Sequence, residues 1–267
     1  ILHSTILQLF PLWKRGQVVF YGIDPKGTEL RPYDATTVFK QIAINPEDQP
    51  EVIQAVFQEM ERRAKTKEIN FEKAELGREF KISKKNPLCF LVIDEFLSVL
   101  ETWDKGGREG KLLKTLLTQI LAQGRSLGIY VLALTQDADK QLMGSMRGNF
   151  ANNIVLKQTS SYMNDLFLGD NATEKGFDST AIPPANVSNN YRTAGIGFAK
   201  QEGDPVKVRF AYSSDTDIAE LLKPYQRGNP LTNLTAKPQH EAETQAQTNE
   251  AEDIGTADIW ELIDRAY

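Results

Sequence analysis

Cysteine and histidine are nearly absent from this chain of 267 residues: Cys89 stands alone, and His3 and His240 lie near opposite ends. A single cysteine inside an apolar run excludes an internal disulfide framework and a cysteine-based zinc site. The separation of the histidines argues against a histidine-centred triad or metal cluster. No apolar run approaches the ~20 residues that a membrane span needs. The amino-terminal ILHSTILQLFPLWKRG is apolar, yet it has no basic lead and no A-x-A-like cleavage site, so it does not read as a signal peptide. A cytoplasmic location is expected, with membrane association through an upstream segment left open.

What is present is ordinary for a globular chain: 40% hydrophobic and 25% charged residues. The net charge of −5 is unevenly spread. Residues 229–267 carry eight acids and two bases, a net of −6, so residues 1–228 carry 29 bases against 28 acids, a net of +1. A neutral body with an acidic tail does not exclude a polyanionic partner.

Strand and helix patterns alternate along the body. Residues 1–13 place Leu2, Ile6, Leu9, Phe10 and Trp13 on one helical face. QVVFYGI (17–23) is rich in strand formers and stops at Asp24-Pro25, and TVFKQIAI (37–44) tilts to strand by its β-branched content. A long helix is expected from Pro46 to about Lys67, with Val52, Val56, Phe57, Met60 and Ala64 as its apolar stripe. LCFLVI (88–93) and IYVLAL (129–134) have the continuous apolar pattern of strands covered on both faces, and NIVLK (153–157) reads as a third, weaker central strand. LLKTLLTQILAQ (112–123) is a helix between the first two. Residues 194–200 and 205–213 flank Glu-Gly-Asp as a hairpin at the sheet's edge, followed by a helix with Asp215 as its N-cap. The expected fold is α/β, a mainly parallel sheet covered by helices. Residues 228–253, poor in core formers, read as a disordered acidic linker, and 254–267, with Ile259, Trp260 and Ile263 at helical spacing, read as either a frayed end or a short docking helix for a protein partner.

In open parallel sheets the functional crevice lies beyond the carboxyl ends of the strands. Here those ends carry Asp24-Pro25-Lys26-Gly27, Asp94-Glu95 and Thr135-Gln136. An apolar strand ending in Asp-Glu has the Walker B pattern, in which Asp94 would hold Mg²⁺ through water and Glu95 would act as general base. A dication is the partner that makes two adjacent carboxylates tolerable. An amide such as Gln136, at the tip of the neighbouring strand, is suited to sense a γ-phosphate and orient water. Each segment alone also fits an ordinary strand-ending turn; their combination carries the weight.

Together, YGIDPKGTEL (21–30), EMERRAK (59–65), FLVIDEFLSVL (90–100), LAQGRSLGIYVLALTQDAD (121–139) and GNFANNIVLKQTSS (148–161) resemble the motor domain of the FtsK/SpoIIIE family of DNA-translocating ATPases. Order and spacing agree over residues 1–227, taken as one motor domain. The resemblance implies a RecA-like P-loop fold, ATP and Mg²⁺ as cofactors, a hexameric ring of identical subunits and double-stranded DNA as the partner. It implies catalytic roles for Glu95, Gln136 and Arg125, the last as an arginine finger, and cofactor contacts from Asp94, Thr135, Asp24 and Lys26. It places Lys105, Arg108 and Lys111, on a glycine-rich basic turn (104–111), against DNA phosphates. The final segments are similar to Tra-type members of actinobacterial conjugative elements, which points to mobile-element DNA transfer.

Two departures stand against the family pattern. No G-x-x-x-x-G-K-[ST] loop occurs in residues 1–267. In the family it directly precedes the helix that residues 1–13 resemble, so the chain reads as truncated inside its nucleotide loop. Negligible ATP hydrolysis is expected from residues 1–267 alone. An arginine common after the Asn-Phe pair is replaced by Asn152 or Asn153, which leaves Arg125, Arg147 or Arg192 as finger candidates. Two other classes stay open: a type VII secretion-like protein-translocating ATPase, and a catalytically inactive ring subunit.

Overall fold

A computed structural model of the chain describes residues 1–66, 80–136 and 140–228. The expected linker and docking helix, 229–267, lie outside the described residues. Four strands, β1 (Val18–Ile23), β2 (Phe39–Ala43), β3 (Leu88–Ile93) and β4 (Ile129–Ala133), form a wholly parallel sheet in the order β2-β1-β3-β4. Because β1 has β2 on one side and β3 on the other, the strand order reverses at β1, and the gap between β1 and β3 is the sheet's switch point.

Alternation within the strands explains the layers. Cys89, Leu91 and Ile93 of β3, with Tyr21 and Ile23 of β1, face a cluster built on α3 (Gln49–Lys65), α4 (Phe96–Lys105) and α5 (Gly107–Gln123). Leu88, Phe90 and Val92, with Val18 and Phe20, face the opposite cluster, built on α1 (Leu2–Lys14), the short α2 (Arg31–Asp34) and α8 (Asp215–Leu222). Every residue of β3 is therefore buried, as its unbroken apolar run predicts.

Four expectations are corrected. IYVLAL forms β4, which is the sheet's edge strand and not a central one, and of its residues only Ile129 is fully buried, because no strand among the described residues covers its outer side in this sheet. NIVLK does not join the central sheet: β5 (Asn153–Leu156) pairs antiparallel with β6 (Ile196–Lys200), which pairs with β7 (Val206–Arg209), forming a separate three-stranded sheet packed on α7 (Ser161–Leu168). Periodicity identifies a strand but not its neighbour. The 104–111 turn is instead the crossing of two helices. Gly106 and Gly107 make the link, and Arg108 and Lys111 lie on the first turns of α5. The helices approach so closely that a Cβ on Gly110 would sit 1.7 Å from the Trp103 carbonyl oxygen. Finally, the N-cap of α8 is Ser214, whose hydroxyl accepts from the Asp217 amide while the Asp217 carboxylate accepts from the Ser214 amide.

The stripe of α3 also differs at its end. Ala64 is exposed and Arg63 is buried. Its guanidinium donates to the carbonyls of Pro87 (2.7 Å), Leu127 (2.8 Å) and Gly128 (3.2 Å) and pairs with Glu59. Arg63 thus ties the end of α3 to the starts of β3 and β4. Hydrogen bonds from Arg62 and Arg63 hold the Glu59 carboxyl down to about 2.

Candidate nucleotide-hydrolysis site

Register places the three polar strand ends side by side. Ile93 is paired with Ile23 and with Ala133, and one residue further on the Asp94 amide donates to Ile23 O and the Leu134 amide to Ile93 O. Asp94 therefore lies beside Asp24, and Glu95 beside Thr135. All of them sit at the carboxyl edge of the sheet, at and next to the switch point.

Asp24 is fully buried. Its carboxylate accepts from the amides of Lys26 (3.1 Å), Gly27 (2.8 Å) and Leu30 (2.9 Å). With three backbone donors on it, Asp24 shapes the β1–α2 loop from within, and Gly27, at φ 62, supplies the left-handed turn that the loop needs. The loop so formed carries Lys26 outward, where its ammonium forms an ion pair with Glu95.

Glu95 adopts a left-handed backbone, φ 52 and ψ 57, an uncommon conformation for a residue with a Cβ. The turn lets the chain leave β3 and enter α4 at once, with the Phe96 amide donating to Leu134 O at 2.7 Å. It also directs the Glu95 side chain across the strand mouths. One carboxylate oxygen meets Lys26, and the other accepts from the backbone N–H of Gln136 at 3.4 Å. Residues 69 and 41 positions away thus converge on one carboxylate.

Asp94 is half-buried, and its carboxyl is pushed up to about 6, by burial first and then by the charges of Asp24, Glu29 and Glu95. Glu29 was not anticipated from sequence; it also accepts from His3, whose other ring nitrogen bonds the Tyr33 hydroxyl at 2.9 Å. This surplus of negative charge around a hard oxygen donor fits a divalent cation, with Asp94 as the residue that would hold it. Among the described residues no cluster of three or more His, Cys, Asp or Glu could hold a metal without help, so such an ion would need further ligands from outside that set.

A cavity of about 620 Å³ opens beside the acids, between β4 and β5. Thr135, Gln136 and Phe96 line it together with Ile1 and Thr5 at the start of α1. Arg125 lies elsewhere: it belongs to the turn before β4, at the amino edge of the sheet, the full length of β4 away from Gln136. Lys105, Arg108 and Lys111 are exposed on the α4–α5 crossing. Their end of the molecule is fixed by Trp103, whose indole donates at 2.8 Å to Gln49 in the first turn of α3, on the carboxyl side.

Residues 1–159 match the FtsK/SpoIIIE family. The chain belongs to that family. It is 22% identical over 208 residues to the DNA translocase FtsK of Treponema pallidum, an alignment that covers 75% of this chain and 24% of the translocase. Among solved structures, it resembles the pCW3 conjugation coupling protein TcpA, in monomer form with ATPγS, with a TM-score of 0.59 and 20% identity over 82% of this chain and 60% of that one. It also resembles the cytoplasmic domain of the type VII secretion ATPase EccC of Thermomonospora curvata, with a TM-score of 0.55 and 18% identity over 85% of this chain and 27% of that one. Both likenesses are to ATPases on the same fold. This chain has that α/β, RecA-like P-loop architecture, and it spans about a quarter of the translocase's length. Among the described residues, no helix is long and apolar enough to cross a membrane.

Proposed function

We propose that this chain is the Walker B and sensor half of an ATP-driven motor that translocates double-stranded DNA, in the transfer of a conjugative or other mobile element. The observation that carries the reading is the convergence of Lys26, the backbone N–H of Gln136 and Asp94 around Glu95 at the sheet's switch point.

In this reading Asp94 would hold Mg²⁺, whose charge would be supplied to the phosphates. Glu95, fixed by its left-handed turn and by partners on both oxygens, takes a proton from the attacking water. Gln136 orients that water beside the phosphate, and Thr135 lines the same cavity wall. Lys26 acts on Glu95 instead of on a phosphate. A phosphate-binding loop supplied ahead of α1 would open onto the cavity that Ile1 and Thr5 line. Arg125, remote from its own site, would act on the site of a neighbouring subunit in a ring, as an arginine finger supplied in trans. Lys105, Arg108 and Lys111 would hold DNA phosphates without reading bases. A cytoplasmic location follows from this role.

A second reading, a type VII secretion-like protein pump, is favoured by the likeness to EccC. The Asp24-Pro25-Lys26-Gly27 loop supports the DNA branch. A third, an inactive ring subunit, depends on whether a phosphate loop accompanies this chain. The test is ATP hydrolysis by the complete protein with and without linear duplex DNA. Turnover that rises with duplex length supports the DNA motor. Turnover indifferent to DNA and raised by a secreted polypeptide supports the second reading, and no turnover with an intact phosphate loop supports the third.

A further inference from the structure

The amino edge of the central sheet has the opposite polarity from the site. Among the described residues at this edge, 14–17, 59–66, 81–87 and 123–128 hold nine lysines and arginines against two acids, Glu59 and Glu61. Direct contacts join these segments into one face. A Cβ on Gly16 would lie 3.6 Å from Lys84 Cγ, Arg62 donates to Asn86 at 3.2 Å, and Arg63 bonds the carbonyls of Pro87 and Leu127. Glu59 is already engaged by Arg62 and Arg63. Lys14, Arg62 and Lys65 close α1 and α3, where cations answer the helix dipoles. Arg15 and Arg125 also stand at helix carboxyl ends, whereas Lys84 and Lys85 have no such duty, and all four are exposed. The strand mouths at the carboxyl edge gather Asp24, Glu29, Asp94 and Glu95, with Lys105, Arg108 and Lys111 apart from them on the α4–α5 crossing, so an anionic segment is favoured at the amino edge over the strand mouths.

The chain carries such a segment at the right place. The last described segment returns to the amino end of β2, where the Arg227 amide donates to Ala35 O and its guanidinium to Asp34 O. Residues 229–267 start from there with a net charge of −6. The face spans four strands, about 15 Å at ~4.8 Å per strand, well within reach of 39 residues. Attachment raises the local concentration of the tail to the millimolar range. We propose that the acidic carboxyl-terminal segment docks within the same chain on the basic face formed by the amino edge of the sheet. Under the ring reading above, the docked segment would cover Arg125 and so restrain subunit contact; the docking itself does not depend on that reading.

Carbodiimide treatment of the 267-residue chain tests this, because it joins lysines to carboxylates in direct contact. Equal parts of isotope-labelled and unlabelled protein separate links within a chain from links between chains. The expected result is within-chain links from Lys65, Lys84 or Lys85 to carboxylates in 241–264. They should fall about fivefold at ~0.5 M salt, where screening shortens the reach of charge to a few Å. In the double variant Lys84→Glu, Lys85→Glu, links from Lys65 to the tail should fall as well. Tail links confined to Lys105 and Lys111, mixed-isotope links alone, or no links at all would overturn the proposal. So would protection of these lysines by added duplex DNA in the absence of within-chain links.

Discussion

Lys26 and Glu95, 69 residues apart in sequence, form an ion pair across the mouths of β1 and β3. The pair exists because Asp24 draws three amides of its loop onto one buried carboxylate and because Glu95 turns left-handed at the end of β3. Lys26 is therefore a positioning residue for the proposed base. In the complete protein, Lys26→Met should lower turnover about tenfold with nucleotide affinity unchanged, and Lys26→Arg should recover most of it. Steady-state kinetics paired with nucleotide titration separates this from a phosphate contact, which would appear as weakened binding.

Asp94 gives a stability signature that needs no nucleotide. Its folded carboxyl lies near 6, above the ordinary value of 3.8. The native state thus holds a proton that the unfolded chain releases, and stability falls as pH rises from about 4 through 6 and then levels. Removing the charge by Asp94→Asn should raise stability at pH 7 by on the order of 1 kcal/mol, discounted for partial exposure, with the advantage gone at pH 4. Urea unfolding at the two pH values measures it. A variant equally stabilised at both would show that the charge is not the cause.

Arg63 anchors the opposite edge of the sheet. Arg63→Met would leave the Pro87 and Leu127 carbonyls without this donor, at a cost of about 3 kcal/mol. The Gly128 carbonyl keeps the Cys89 amide at 2.9 Å. Denaturant midpoints of the two proteins decide whether the clamp is that strong.

Much of the architecture is legible in β3, a continuous apolar run bounded by polar residues and covered on both faces; β4 has the same pattern but is the edge strand, only partly buried after Ile129. The same rule placed Asp94, Glu95 and Gln136 at strand ends. It could not place β5, since NIVL reads alike whether it borders β4 or β6. Nor could it show that Gly106-Gly107 links two helices directly, because GREGK carries no apolar stripe. Arg63 and Ala64 exchanged roles because a guanidinium can be buried when carbonyls surround it, and those carbonyls come from Pro87 and Leu127, far along the chain. The Lys26–Glu95 pair likewise follows from strand order, which periodicity does not contain.

If Lys105, Arg108 and Lys111 hold duplex phosphates, their joint replacement by alanine in the complete protein should weaken binding alike for unrelated sequences. The slope of log K against log salt should fall by nearly three, at ~0.9 per phosphate contact. Fluorescence anisotropy over a salt series provides the slope; an unchanged slope would remove these residues from the DNA path.

The central claim is that Glu95 is the base of a DNA-driven ATPase. Its most direct test is the rate of phosphate release by the complete protein with linear duplex DNA, wild type against Glu95→Gln, alongside nucleotide affinity. The account predicts a loss of at least about 100-fold in turnover, with ATP still bound as tightly as in the wild type. Wild-type turnover in Glu95→Gln would contradict it.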